Sequence, residues 1–250
     1  MRIDEYETMA RVEKSHWWYK GLRRIVLDHW RWYVLPGSRK VRGSNPMRVL
    51  DAGCGTGTVL WSLEQSACTV GVDCSPVAIG FCRSQQLQRT AVASVAKLPF
   101  GDASFDVVIS CDVLCHAAIT DCTAAMGEMA RVLKPGGLLM LNLPAYQWLL
   151  STHDAAVANV RRFSRVEVLR LLQEQSLTPL RVTFWNSLLF FPIAAVRLGR
   201  GSRRRQQSDL HGPAFGHAIL FFILSLERLL LRFVPSLPFG LSLFAVARKA

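Results

Sequence analysis

MRVLDAGCGTGTVLW, residues 47–61, sets an apolar strand-like run, an acid and three glycines at alternate positions ahead of a helix-like pattern. Asp51, Gly53, Gly55 and Gly57 spell D-x-G-x-G-x-G. Glycines at this spacing let the backbone turn sharply and let a ligand touch the main chain. The N-terminus of the helix that follows supplies N–H donors. Asp73 ends the next strand-like run, twenty residues after Gly53, where a carboxylate suits a ribose diol.

A dinucleotide site shares these features but uses G-x-G-x-x-G, and Thr58 stands at its third glycine. Asp51 would also set a negative charge beside a pyrophosphate. The same acid suits a ligand with a cationic end, such as a sulfonium with an ammonium and a ribose. An NAD-type oxidoreductase is therefore the weaker reading. A non-catalytic scaffold of the same fold is the other alternative, and it predicts decay of a glycine loop that here is whole.

Outward from this motif, strands and helices alternate. CTVGVD (68–73), TAVASV (90–95), FDVVISC (105–111), LLMLNL (138–143) and PLRVTFWN (179–186) read as strands, and PFGLSLFAVARK (238–249) as the last one. Between them lie helical segments at 58–66, 75–86, 121–133 and 164–175. Ser75 is the candidate N-cap of the second, with Pro76 at its first position. Lys134-Pro135-Gly136-Gly137 reads as a stop to the third, and Ser164 with Glu167 as a capping box on the fourth. The pattern predicts an α/β protein: a doubly wound, seven-strand, mostly parallel sheet. Residues 1–46 form an N-terminal helical cap, helical over 3–34 and closed by a basic loop, Pro36–Pro46. Residues 47–186 form the α/β core, 187–237 an apolar, Arg-rich helical insertion, and 238–250 the last strand.

The 250-residue chain is half hydrophobic and carries a formal charge of +12. Residues 49–150 hold five basic against eight acidic side chains, a net of −3, so the flanks carry +15. All seven cysteines fall between Cys54 and Cys122 without a C-x-x-C pair. That pattern predicts reduced core thiols in a cytoplasmic protein and neither a disulfide framework nor a metal site. MRIDEYETMARVEKSHWW, at the start, has no apolar run of a secretory signal.

VLDAGCGTG, GVDCS, AKLPFGDASFDVVIS and RVLKPGGLLML, in this order, resemble the motifs of class I S-adenosylmethionine-dependent methyltransferases, strongly over about residues 45–145. The likeness is to the small-molecule branch with the LPF…FD signature. It implies that the loop with Asp51, Gly53, Cys54 and Gly55 wraps the amino-acid half of S-adenosyl-L-methionine. Asp73 would hold the ribose hydroxyls, with Cys74 against the adenine. Ser94 and Val95 would meet the adenine amino group and ring, Ser94 standing where the family often has Asp. Ser110–Asp112, Cys111 among them, would line the methyl-transfer pocket. EKSHWWYKGLRR (13–24) resembles a sub-branch opening E-x-x-H-[FW]-W-[FY], and implies that Tyr19 and Arg23 touch the cofactor from above.

Direct displacement from a sulfonium needs chiefly alignment of the acceptor, and a base only where the acceptor must lose a proton. His116, in CDVLCH after the fourth strand, and the neighbours His153 and Asp154, after the fifth, are the candidates. Arg161 and Arg162 either bind an acidic group of the substrate or begin a helix. The stretch resembles the sub-branch pattern W-S-x-H-D…H-x-R-R-[YF], with Asn159 in the region of its second His. In HAILFFILSLERLLLRFVP (217–235), Ser225, Arg228 and Arg232 form one polar stripe on an apolar helix. Arg197, Arg200, Arg203, Arg204 and Arg205 precede it. This insertion is either a lid or homodimer interface, or a peripheral contact with an anionic membrane on its inner face. Both readings imply a hydrophobic or lipid-linked small-molecule acceptor. No nucleic-acid module is apparent, so nucleic acid is not expected as a partner.

Overall fold

The computed structural model describes residues 3–38, 46–199 and 216–250. Residues 39–45 of the basic loop, and Arg200, Arg203, Arg204 and Arg205, lie outside the described residues.

Seven strands form one sheet in the order β3-β2-β1-β4-β5-β7-β6. They are β1 (Arg48–Ala52), β2 (Cys68–Asp73), β3 (Thr90–Val92), β4 (Phe105–Cys111), β5 (Leu133–Pro144), β6 (Leu177–Trp185) and β7 (Ser242–Lys249). β1 to β5 are parallel, and β7 runs antiparallel between β5 and β6. The α/β, doubly wound, mostly parallel seven-strand sheet is the one the sequence predicts.

Helices cover both faces, so the central strands are apolar on both sides. Alternate residues divide between two cores. Leu50, Ala52, Val108, Leu139 and Leu141 face Met126 and Met129 of α6 (Cys122–Val132) and Val168 and Leu172 of α8 (Arg165–Glu174). Val49, Val107, Ile109 and Met140 face Ile25 and Val26 of α2 (Trp17–His29), Val59 and Leu63 of α4 (Thr58–Leu63) and Leu224 of α10 (His217–Leu230). The expected caps form. Ser75 accepts the Ala78 N–H ahead of α5 (Pro76–Ser84), and Ser164 with Glu167 closes a capping box on α8.

Three local expectations are corrected. The 3–34 helix is broken in two: α1 (Ile3–Val12) stops, and α2 restarts where His16 Nδ1 accepts the Trp18 N–H. A π turn (Trp30–Val34) and α3 (Leu35–Ser38) continue it. The Lys134–Gly137 stretch is no loop between helix and strand. α6 ends at Val132 and β5 begins at Leu133, with the glycines kinking its first residues. Gly136 has φ +75°, and a Cβ on Gly137 would come within 2.8 Å of the Lys134 carbonyl oxygen. The third strand is cut to Thr90–Val92.

The insertion packs onto the core through polar groups. The buried Glu227 carboxylate of α10 accepts the backbone N–H groups of Asn186, Ser187 and Leu188 at 2.5, 2.6 and 3.0 Å, which ties the exit of β6 to α10. Arg228 pairs with Asp28 of α2 at 2.6 Å. The single polar stripe of the sequence is thereby divided: Arg228 turns inward, and Arg232 stays exposed. No helix of the described residues is long and apolar enough to cross a membrane.

Glu227→Ala leaves three N–H groups of the β6 exit without their acceptor. Unfolding by denaturant is expected to show a loss of about 3 kcal/mol, with Glu227→Gln recovering part of it.

Candidate cofactor and active site

A cleft of about 1080 Å³ opens at the C-terminal ends of β1, β2, β4 and β5. It lies beside the point where the strand order reverses between β1 and β4, where open α/β sheets bind ligands. Its floor is the glycine loop. Gly53 and Cys54 donate their N–H groups to the Val72 carbonyl at 2.8 and 2.9 Å, so β1 turns back over the end of β2. Gly53 has φ +90°, and a Cβ there would lie 2.2 Å from a Val113 methyl. Only glycine satisfies both conditions.

Asp73 is fixed at the rim. Its carboxylate accepts Gly55 N–H and Ser75 N–H, each at 2.9 Å, and the Tyr6 hydroxyl of α1 at 3.5 Å. The ribose-binding candidate thus already accepts a hydroxyl. Asp51 is buried at the loop's start. Burial and the neighbouring Asp73 push its carboxyl up to about 7, and no cation among the described residues offsets them. A ligand bearing both an ammonium and a ribose fits these two acids.

The N-terminal segment closes the cleft from above. Glu13 is buried and accepts the hydroxyls of Thr56 and Thr58, while Gln85 donates to it at 3.3 Å. Tyr6, Glu13 and His16 line the cleft and were not singled out in the sequence. The signal was present for two of them, since Glu13 and His16 are the Glu and His of the E-x-x-H pattern.

Of the predicted cofactor residues, Tyr19, Asp51, Gly53, Cys54, Gly55, Asp73, Cys74, Ser94, Val95 and Cys111 all line this cleft. Ser94 Oγ also accepts the Ala96 N–H of its own loop at 3.2 Å. Arg23 does not reach it. Its guanidinium donates to the Glu13 and Lys14 carbonyls, each at 3.2 Å, and so braces the turn between α1 and α2.

The candidate bases separate. His116 and His153 line the cleft, and burial pushes the His116 imidazole below its ordinary range. Asp154, within the short α7 (Thr152–Ala156), lines the cleft beside His153 and is also engaged elsewhere. It is buried, holds a capping box with Ser151, and makes a bidentate ion pair with Arg162 at 2.8 Å. Arg162 lines the cleft as well and lies ahead of α8, which begins at Arg165. Arg161 donates to Cys122 Sγ. Asp112, named only as a lining residue in the sequence, has the more reactive setting. It follows β4 at φ +56°, a conformation unusual for a side chain other than glycine. Its carboxylate accepts Asn142 Nδ2–H at 2.9 Å, and Asn142 Oδ1 accepts the Trp185 indole at 2.7 Å. Burial pushes it up to about 7, although Asn142 and Arg162 pull the other way.

Comparison with known proteins agrees with this geometry. Residues 50–141 match the family model described as a methyltransferase domain. The chain is 38% identical over 96 residues to an uncharacterized methyltransferase of Synechocystis sp., covering 38% of this chain and 45% of that protein. It is 34% identical over 110 residues to the tRNA (carboxymethyluridine(34)-5-O)-methyltransferase of Arabidopsis thaliana, covering 44% and 26%. The chain spans between 24% and 60% of the length of the curated relatives it matches. Its fold is also that of a geranyl diphosphate methyltransferase solved in complex with GPP and sinefungin, with a TM-score of 0.57, 17% identity, and coverage of 93% of this chain and 78% of that one. Residues 50–141 thus match a methyltransferase domain, and the chain shares the fold of a methyltransferase solved with sinefungin.

An ammonium beside Asp51 favours the ionised carboxylate, so ligand and proton compete for it. The affinity for S-adenosylhomocysteine should rise with pH up to about 7, by at most about tenfold per unit, and level off above. Titration calorimetry between pH 5.5 and 8.5 measures this, and Asp51→Asn should flatten the profile. Arg162→Ala strands a buried carboxylate and should cost about 3–5 kcal/mol in a denaturant melt.

Proposed function

We propose that this chain transfers a methyl group to a small apolar or lipid-linked acceptor. One observation carries the reading: beyond the glycine loop, Ile193 and Val196 of α9 (Phe190–Gly199), Leu220 of α10, Ile119 and Val157 contribute apolar surface to the cleft. Apolar lining of this kind suits an apolar ligand, with the polar side chains among it free to orient it.

The cofactor supplies an electrophilic methyl group on a sulfonium sulfur. The glycine loop, Asp51 and Asp73 would hold it, with Tyr6 and Met9 of α1 and Trp17 and Tyr19 of α2 lining the same cleft. Asp112, held by Asn142 at the end of β4, takes the proton that an acceptor hydroxyl or amine gives up. With its pKa raised to about 7, it is a far better base than an ordinary carboxylate and is still ionised in a good share of molecules at neutral pH. His116, neutral and at the same rim, is the second group able to do so. The seven cysteines are all free thiols, which suits a reducing cytoplasm.

A second reading has one specific support, the named tRNA substrate of the Arabidopsis relative, together with the net charge of +12.

Incubating the chain with methyl-labelled S-adenosylmethionine and either a total lipid extract or bulk tRNA separates the two. Label is expected in the organic phase, and label in tRNA alone would overturn the apolar acceptor. With the labelled acceptor in hand, Asp112→Asn should lower kcat about 100-fold and remove the limb near pH 7, with the KM for cofactor little changed.

A further inference from the structure

Helix α10 is apolar on the side that faces away from the protein. Leu224, Glu227 and Leu231 point into the core, and Glu227 and Arg228 spend their charge on the β6 exit and on Asp28. The opposite side presents Ile219, Phe222, Leu226, Leu229 and Leu230, and beyond the helix end Phe233, which is 80% exposed. These positions recur at three- and four-residue steps, so they form one continuous stripe. A soluble helix would put its charges there. Scattered exposed apolar residues are ordinary, but a contiguous aromatic and aliphatic stripe marks a contact surface.

The border of the stripe is basic. α2 packs alongside α10: Lys20 lies over the Phe221 ring at 4.2 Å, a Cβ on Gly21 would meet Leu224, and Asp28 pairs with Arg228. Arg24 is exposed one turn from Lys20 on this same ridge, and Arg31, paired with Asp28, extends it by about two turns. Arg232 is exposed on α10 itself.

We propose that the outer face of α10, with the basic ridge of α2, seats on an anionic lipid bilayer, the stripe entering the headgroup–acyl boundary and Lys20, Arg24, Arg31 and Arg232 meeting the headgroups. Charge decides between occupants. A second copy docked on this stripe would bring two basic borders together, whereas an anionic leaflet offers an apolar layer and opposite charge at once. The inference does not depend on methyl transfer. It adds to the proposed acceptor class, because Leu220 of the same helix lines the cleft, so an acceptor resident in the bilayer has a short path in.

The test is flotation of the full chain with vesicles of equal phosphatidylglycerol and phosphatidylcholine, against pure phosphatidylcholine, at 0.1 and 0.5 M salt. Binding is expected to the anionic vesicles, weakened by salt. Two double variants separate the contributions: Phe222→Ser with Phe233→Ser removes the apolar anchors, and Arg24→Glu with Arg232→Glu reverses the border. Each should lower partitioning at least about tenfold, with thermal melts and S-adenosylhomocysteine binding unchanged. A folded chain that ignores anionic vesicles would overturn the proposal. So would a dimer in light scattering that Phe222→Ser with Phe233→Ser dissolves, without vesicle binding, since the stripe would then be a subunit interface.

Discussion

Gly53 can carry no side chain, and the architecture of the cleft follows from that. Its N–H and that of Cys54 share the Val72 carbonyl, which draws the end of β1 across β2, while Val113 after β4 fills the space where a Cβ would stand. Three adjacent strands are therefore locked at one corner. The corner sits where the strand order reverses, so the crevice that topology opens is floored by bare backbone. Asp51 and Asp73 are placed by the same turn, one beneath it and one across it. Much of the cofactor site is thus one local device repeated from the three-glycine spacing.

Around this corner the rim of the sheet holds residues in unusual backbone conformations. Asp112, Tyr146 and Asn186, directly after or near the ends of β4, β5 and β6, all have positive φ. Asp112 and Asn186 line the cleft. Side chains other than glycine adopt this conformation at a cost of about 1–3 kcal/mol each. Here the surroundings hold them through the Asn142 amide at Asp112 and the Glu227 carboxylate at the Asn186 N–H. Strain and raised carboxyls meet at one rim, as they do where a fold is shaped for chemistry rather than for stability alone.

The alternation of strands and helices, two caps and the glycine loop were legible in the sequence because their signals are local. Alternating apolar runs, Ser75-Pro76 and Ser164…Glu167 need no knowledge of distant neighbours. What stayed hidden depends on long-range pairing. The bidentate grip of Arg162 on Asp154, eight residues earlier, has no local sequence signal. Arg23 reads as a cofactor contact until its fork meets two carbonyls of the preceding turn. Arg228 reads as one member of a solvent stripe until Asp28, two hundred residues away in sequence, turns it inward. Tyr6 is an ordinary aromatic position on α1, and only the folded chain brings it, with Glu13 just past the helix end, over the glycine loop.

The attachment of the N-terminal segment has a kinetic meaning. Tyr6 donates to the Asp73 carboxylate and Glu13 accepts from the two threonines of the glycine loop, so the segment rests on the groups that the resemblance assigns to the ligand. A ligand entering over this loop would have to part the contacts at Glu13 and Tyr6, and the rate of exchange would then follow the opening of this segment.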